Sequence, residues 1–173
     1  MKKIQLIIIL STIFHLSFQI PKPLYKKVVK EIKTVFKTNQ FSLHKIKISK
    51  EQKNNLKINT TTLFKIQNKN QLLGYAYVDK ANSKVDKFDY LILLNTKLVI
   101  LKTKILIYRE DYGNEISSKR WLKQFIGLKT TDKIEYNINI DGISGATISA
   151  KSMTHAVAKA LKKLQKLQKN NTL

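Results

Sequence analysis

The sequence predicts a single α+β domain: an antiparallel or mixed sheet covered by helices, closing on one long C-terminal helix. Three observations predict it. Two apolar runs, Phe88 to Leu94 and Leu98 to Tyr108, flank the short turn Asn95-Thr96-Lys97, as the arms of a hairpin do. Apolar residues at a spacing of 3.6 mark an amphipathic helix toward each end of the chain. The 173 residues are 43% hydrophobic, enough for one core and too few for two.

The elements follow in order. Met1-Lys2-Lys3 is a short basic start, and Ile4 to Phe18 is a mostly apolar run. That pattern is the one a secretory signal shows, and the run is shorter than the roughly 20 residues a spanning helix needs. No Ala-x-Ala site follows it, so cleavage is left open, and a buried N-terminal helix is the plainer alternative. Leu24 to Lys37 is a helix whose apolar face holds Leu24, Val28, Val29, Ile32, Val35 and Phe36. Leu43 to Ile48 alternates as a strand, the β-branched Thr61 to Ile66 forms another, and Asn54-Asn55 between them suits a turn.

Gly74 to Val78 opens the sheet, and Asp79 to Asp86 is expected to be a polar loop. Phe88 to Leu94 is continuously apolar, as a central strand is. Leu98 to Tyr108 returns beside it, with Lys102 and Lys104 alternating against Thr103 and Ile105. Ser117 or Ser118 caps a short helix through Ile126, stopped by Gly127, with Trp121, Leu122, Phe125 and Ile126 as its apolar face. Ile134 to Ile140 alternates as a strand, and the last helix covers Thr147 to Lys169. The chain divides into 1–19, a signal or N-terminal anchor; 20–73, a helix and strands of unassigned role; and 74–169, the domain that carries the site.

Composition excludes several kinds of chemistry. There is no cysteine, so disulfides, iron–sulfur clusters and thiol redox chemistry are absent. The three histidines, His15, His44 and His155, show no metal-ligand spacing. The formal net charge is +22, which invites a nucleic-acid reading. Against it, only Arg109 and Arg120 are arginines, and the lysines are spread along the chain. Base and phosphate recognition favours the arginine fork, so no nucleic-acid partner is expected.

The stretch richest in chemistry is Asp141-Gly142-Ile143-Ser144-Gly145-Ala146-Thr147, a small-residue turn running into the long helix. The first turn of a helix offers free N–H groups and the positive end of its dipole, which together stabilise a phosphate. Gly145 and Ala146 let a group approach the backbone, and Thr147 supplies a hydroxyl there, with Ser144 and Ser149 nearby. Read from the residues alone, Ser144 serves as well for an ordinary N-cap. The motif is neither a P-loop nor a Rossmann fingerprint.

The same seven residues resemble the Asp-x-x-Ser/Thr-Gly-Ala-Thr flavinylation motif of the FMN-binding domain family. That family includes the C subunit of the sodium-pumping NADH:quinone reductase and the G subunit of the Rnf complex. A second segment, Tyr108 to Ile116 followed by Trp121 to Gly127, resembles the family's acidic–glycine loop and aromatic helix. It departs from the common Glu-Thr-x-Gly, reading Glu110-Asp111-Tyr112-Gly113. The resemblance covers roughly Gly74 to Leu164.

The resemblance implies FMN joined by a phosphoester to Thr147, attached by a separate flavin transferase, with Asp141, Ser144, Gly145 and Ala146 as recognition context. It implies that Glu110, Tyr112, Gly113 and Trp121 border the flavin. Glu110 would accept a hydrogen bond, and Tyr112 or Trp121 would stack on the ring; a core role for Trp121 fits its pattern equally. Arg109 is expected to pair with Glu110 and Asp111 at the surface.

The implied function is electron transfer outside the cytoplasm, in the periplasm or at the outer face of a membrane, after export by the leader. The donor and acceptor are unknown, and a membrane redox complex is one candidate. A flavin-free lysine-rich module on an anionic surface or nucleic acid, and a flavin-dependent reductase, are the competing readings.

Overall fold

The computed structural model describes residues 20–56 and 62–173; the basic–apolar leader lies outside them, as does Thr61. Five strands form one antiparallel sheet in the order β1-β2-β3-β4-β5, each paired with its neighbour in sequence. They are β1 (Ser42–Lys45), β2 (Thr62–Asn68), β3 (Gln71–Asn82), β4 (Lys87–Asn95) and β5 (Ile100–Ile107). Among the described residues four α-helices accompany them: α1 (Lys22–Phe36), α2 (Lys50–Leu56), α3 (Lys119–Leu122) and α4 (Thr147–Lys169). The chain is α+β, as its patterning predicts.

The sheet has an apolar layer on each face, and strand periodicity assigns the residues. Tyr75 and Tyr77 of β3 and Phe88, Tyr90, Ile92 and Leu94 of β4 point to one side, where α4 packs through Met153, Val157, Ala160, Leu161 and Leu164. The intervening Ala76, Val78, Leu91 and Leu93 point to the other side, against Leu24, Val28 and Ile32 of α1. Both faces of β4 are therefore covered, and this is why Phe88 to Leu94 reads as an unbroken apolar run. Full burial of a side chain of this size contributes roughly 1.5–3 kcal/mol, so α1 is a structural half of the domain. The ion pair of Lys102 with Glu31 and the bond from Lys27 Nζ to the Leu106 carbonyl (2.7 Å) join α1 to β5.

Several expectations are corrected. Asn54-Asn55 lies inside α2, and the strand ahead of it stops at Lys45. Ser49 and Gln52 explain the helix: the Gln52 N–H donates to Ser49 Oγ and the Ser49 N–H to Gln52 Oε1, both at 3.0 Å, a reciprocal capping box. β3 runs on to Asn82, so the polar loop shrinks to residues 83–86. Ile126 is 49% exposed, because the helix after Ser118 tightens to a 3₁₀ turn at Lys123–Phe125 and rotates Ile126 outward.

Ile134 to Ile140 is not a strand. Asn137 takes a positive φ, the Glu135 carbonyl accepts from the N–H groups of Asn139 and Ile140, and one isolated bridge joins Tyr136 to Ile140. The alternation reflects turn geometry: Ile134 and Ile140 are buried while Ile138 is 75% exposed. Arg109 pairs with the buried Asp89 and donates to the Lys87 carbonyl, not to Glu110 or Asp111. An unpaired Asp89 in that position would be costly, so the arginine is drawn to it.

Candidate functional site

The site forms where the end of β5 meets the start of α4. After Ile107 the chain leaves the sheet through Tyr108 and enters the loop Glu110-Asp111-Tyr112-Gly113, then a 3₁₀ turn at Asn114–Ser117. The turn Asp141 to Ala146 arrives beside that loop and starts α4 at Thr147. Two segments more than 30 positions apart in sequence thus share one cavity of about 290 Å³. Its walls are the loop residues Glu110, Tyr112 and Gly113, the helix start from Gly145 to Ser149, Tyr108 and Lys84.

Glycine is required at two points in the wall. Gly113 has φ +86°, and a Cβ there would lie 2.5 Å from the Tyr108 hydroxyl. Gly145 has φ +82°, and a Cβ there would meet a Glu115 carboxylate oxygen at 3.0 Å. Both conformations are in the left-handed region that side chains disfavour. Tyr108 ties the two segments together. Its hydroxyl donates to the Tyr112 carbonyl (3.0 Å) and lies 2.9 Å from the hydroxyl of the buried Ser149. A phenol has one proton, so Ser149 donates to Tyr108 and Tyr108 to the glycine loop.

The helix start is open. The N-cap residue is Ala146, with no side chain bonded to the first-turn N–H groups. Ser144, the expected cap, is exposed and does not bond there. A long helix whose first turn has no capping side chain presents backbone donors and a positive dipole end to the cavity. Thr147 is exposed at that point, on the cavity wall.

The expected site residues separate into two groups. Gly145, Ala146, Thr147, Glu110, Tyr112 and Gly113 converge on the cavity; Asp141, Ser144 and Trp121 do not line it. Trp121 is buried, edge-on to Phe125 at 5.3 Å, and its indole Nε1 donates to the Asp141 carbonyl at 2.8 Å. It therefore holds the motif turn from behind, and its packing leaves the cavity face to other groups. The Asp141 N–H donates to Gln124 Oε1 at 2.8 Å, a second anchor from the same short helical segment.

Within the chain, Glu110 bonds to the β3–β4 loop. Its Oε1 accepts from the Ser83 hydroxyl, the Val85 N–H (2.8 Å) and the Asp86 N–H (2.9 Å). The Asp86 N–H, the Ser83 hydroxyl and the Val85 N–H together hold its carboxyl below the ordinary range. The carboxylate thus folds the β3–β4 loop around itself. Sequence reasoning passed over Lys84 and Tyr108 as site residues. Lys84 belonged to an unremarkable polar loop, and Tyr108 looked like the last residue of a strand.

The mouth of the cavity is apolar. Tyr112, 85% exposed, and Ile148, 53%, line it and are two of the few large apolar side chains left to water among the described residues. Such exposed clusters mark binding surfaces. Donors at the helix start, a hydroxyl on the wall and an apolar rim suit a ligand with a phosphate at one end and a flat ring at the other. FMN has that form.

Residues 84–162 match the FMN-binding domain family. Every residue that lines the cavity falls within that span, which begins at Lys84 itself. The chain is thus an FMN-binding flavoprotein over this segment. No curated protein matches the chain.

Proposed function

We propose that this protein is an extracytoplasmic electron carrier whose FMN is joined through its phosphate to the side-chain oxygen of Thr147. One observation supports the reading most: the Thr147 hydroxyl stands exposed at an uncapped helix start, on the wall of the cavity that the two family-like segments share. The N–H groups there would neutralise the phosphate, and the rim of Tyr112 and Ile148 would take the ring.

Attachment would be carried out by a separate flavin transferase. In that step the Thr147 oxygen forms a bond to the FMN phosphorus of FAD. The pyrophosphate bond breaks, AMP leaves, and the hydroxyl proton passes to a base on the transferase. A threonine hydroxyl is a weak nucleophile without such a base. Glu110, the carboxylate on the cavity wall, already accepts three hydrogen bonds from the β3–β4 loop.

With the cofactor in place, the flavin supplies the redox chemistry and the protein binds and tunes it. Covalent attachment suits export, since a cofactor lost outside the cell is not readily replaced. The donor and acceptor would be redox partners at the membrane.

The test is intact-mass measurement after coexpression with a flavin transferase in a secreting host. The expected product carries the mass of one FMN less one water, and has lost its leader or retained it as an anchor. A protein that stays colourless and unmodified, and binds anionic vesicles or nucleic acid in a salt-sensitive way, would replace this reading with the lysine-rich binding module.

A further inference from the structure

The β3–β4 loop is held by hydrogen bonds from within and from Glu110. Residues 83–86 are closed by the Ser83 N–H, which donates to the Asp86 carbonyl (2.8 Å), while the one hydroxyl proton of Ser83 goes to Glu110. Glu110, distant in sequence, gathers three donors of that loop onto one oxygen. The residue enclosed between those donors is Lys84, which lines the same cavity as Gly145 and Thr147. Its charge acts on the Glu110 carboxylate, and it makes no hydrogen bond or salt bridge among the described residues. It is the cation on a wall whose one carboxylate is occupied with the loop.

We propose that Lys84 is a cofactor-binding residue whose ammonium faces the anionic part of bound FMN, and that Glu110 is its positioning residue. The pairing presupposes FMN in the cavity. The anionic partner has two sources, the phosphate and the negative charge that reduction leaves on the ring. A cation near either one stabilises it, and near the ring it raises the potential. Glu110 holds the loop with backbone bonds, so the lysine stem starts from a fixed point and less freedom is lost when it meets its partner.

The experiment uses the flavinylated full chain with Lys84→Gln, Lys84→Arg, Glu110→Ala and Lys97→Gln. Lys97 lies in the turn at the other end of β4, roughly 30 Å away along the strand, and controls for the loss of one charge in general. Two signals are read: the flavin midpoint potential and the salt dependence of the phosphorus resonance. Lys84→Gln is expected to lower the potential by about 30 mV, tenfold in the two-electron equilibrium, if the charge faces the ring. It is expected to abolish the salt dependence of the phosphorus signal if the charge faces the phosphate.

Lys84→Arg should retain the wild-type signals. Glu110→Ala removes a negative charge of its own, so the positioning role is read in its background, where Lys84→Gln should change neither signal further. Wild-type signals in Lys84→Gln, or an equal change in Lys97→Gln, overturn the pairing. Full additivity of the two variants overturns the positioning role. A wild-type chain that accepts no flavin defeats the FMN reading itself, whereas a flavinylated chain indifferent to Lys84 defeats this pairing alone.

Discussion

The hydroxyls of Tyr108 and Ser149 lie 2.9 Å apart, joining the end of the last strand to the first turn of the last helix. Neither residue is part of the motif that suggests flavin attachment, yet the pair holds that motif's helix against the glycine loop. Tyr108→Phe is expected to cost about 1–2 kcal/mol, because Ser149 is buried and would lose its partner. Urea unfolding measures the loss. The double variant with Ser149→Ala should recover part of it, since no buried hydroxyl is then left unpaired.

Thr147 is exposed, and its removal should leave the fold intact within about 0.5 kcal/mol. Thr147→Ala is expected to abolish covalent flavin while the melting temperature of the unmodified protein stays unchanged. In-gel fluorescence after denaturation reads the first, and a thermal scan the second. A variant that kept its flavin through denaturation would move the attachment point to another residue.

Gly113→Ala places a methyl group 2.5 Å from the Tyr108 hydroxyl at a backbone φ of +86°. Strain of roughly 1–3 kcal/mol is expected, and the Tyr108 bridge must open to admit the methyl. The variant should unfold earlier and accept flavin poorly. In the Tyr108→Phe background the contact is relieved, so the two losses should be less than additive by urea unfolding.

Glu110 gives the site an acid limit. Hydrogen bonds from Asp86, Ser83 and Val85 lower its folded-state pKa, so its contribution is present above the ordinary glutamate value. It is lost as the pH falls through the lower folded value. Amide exchange of Val85 and Asp86 is expected to become disproportionately fast across that acid window. Glu110→Gln should remove the pH dependence there and leave the neutral-pH fold in place.

Lys163 behaves in the opposite sense. It lies on α4, 3.3 Å from the Tyr77 hydroxyl and 3.9 Å from Asp79, and its side chain is 11% exposed. Burial lowers its pKa against the opposing pull of Asp79. The fold therefore disfavours the proton, and this residue makes stability rise with pH between its lowered value and the ordinary lysine range. Lys163→Met is expected to remove that rise. Melting temperatures across the alkaline range check it.

The parts of the fold written plainly in the sequence are those set by one strong periodicity. The helix from Thr147 to Lys169 and the hairpin around Asn95-Thr96-Lys97 follow from apolar spacing alone. Ile134 to Ile140 misleads because period-2 apolarity also arises when a tight turn buries its two ends. In the site, the motif turn and the glycine loop were legible as separate segments. Their meeting was not, because it depends on a phenol from a strand end, and on a carboxylate that reaches 24 positions back to bond Asp86. Trp121 could be read as ring or core until the Asp141 carbonyl fixed its indole.

The roofing of the sheet by α1 limits how the site can be moved. The segment that matches the family holds β4 and β5 but neither α1 nor β3. Excised alone, it would show Leu91, Leu93 and Leu106 to water on one side and the bare edge of β4 where β3 had paired. Such an edge invites another copy to add its own strand. A graft meant to carry this flavin cradle into a foreign scaffold must therefore begin no later than the helix that starts at Lys22, or it will precipitate before it can be loaded.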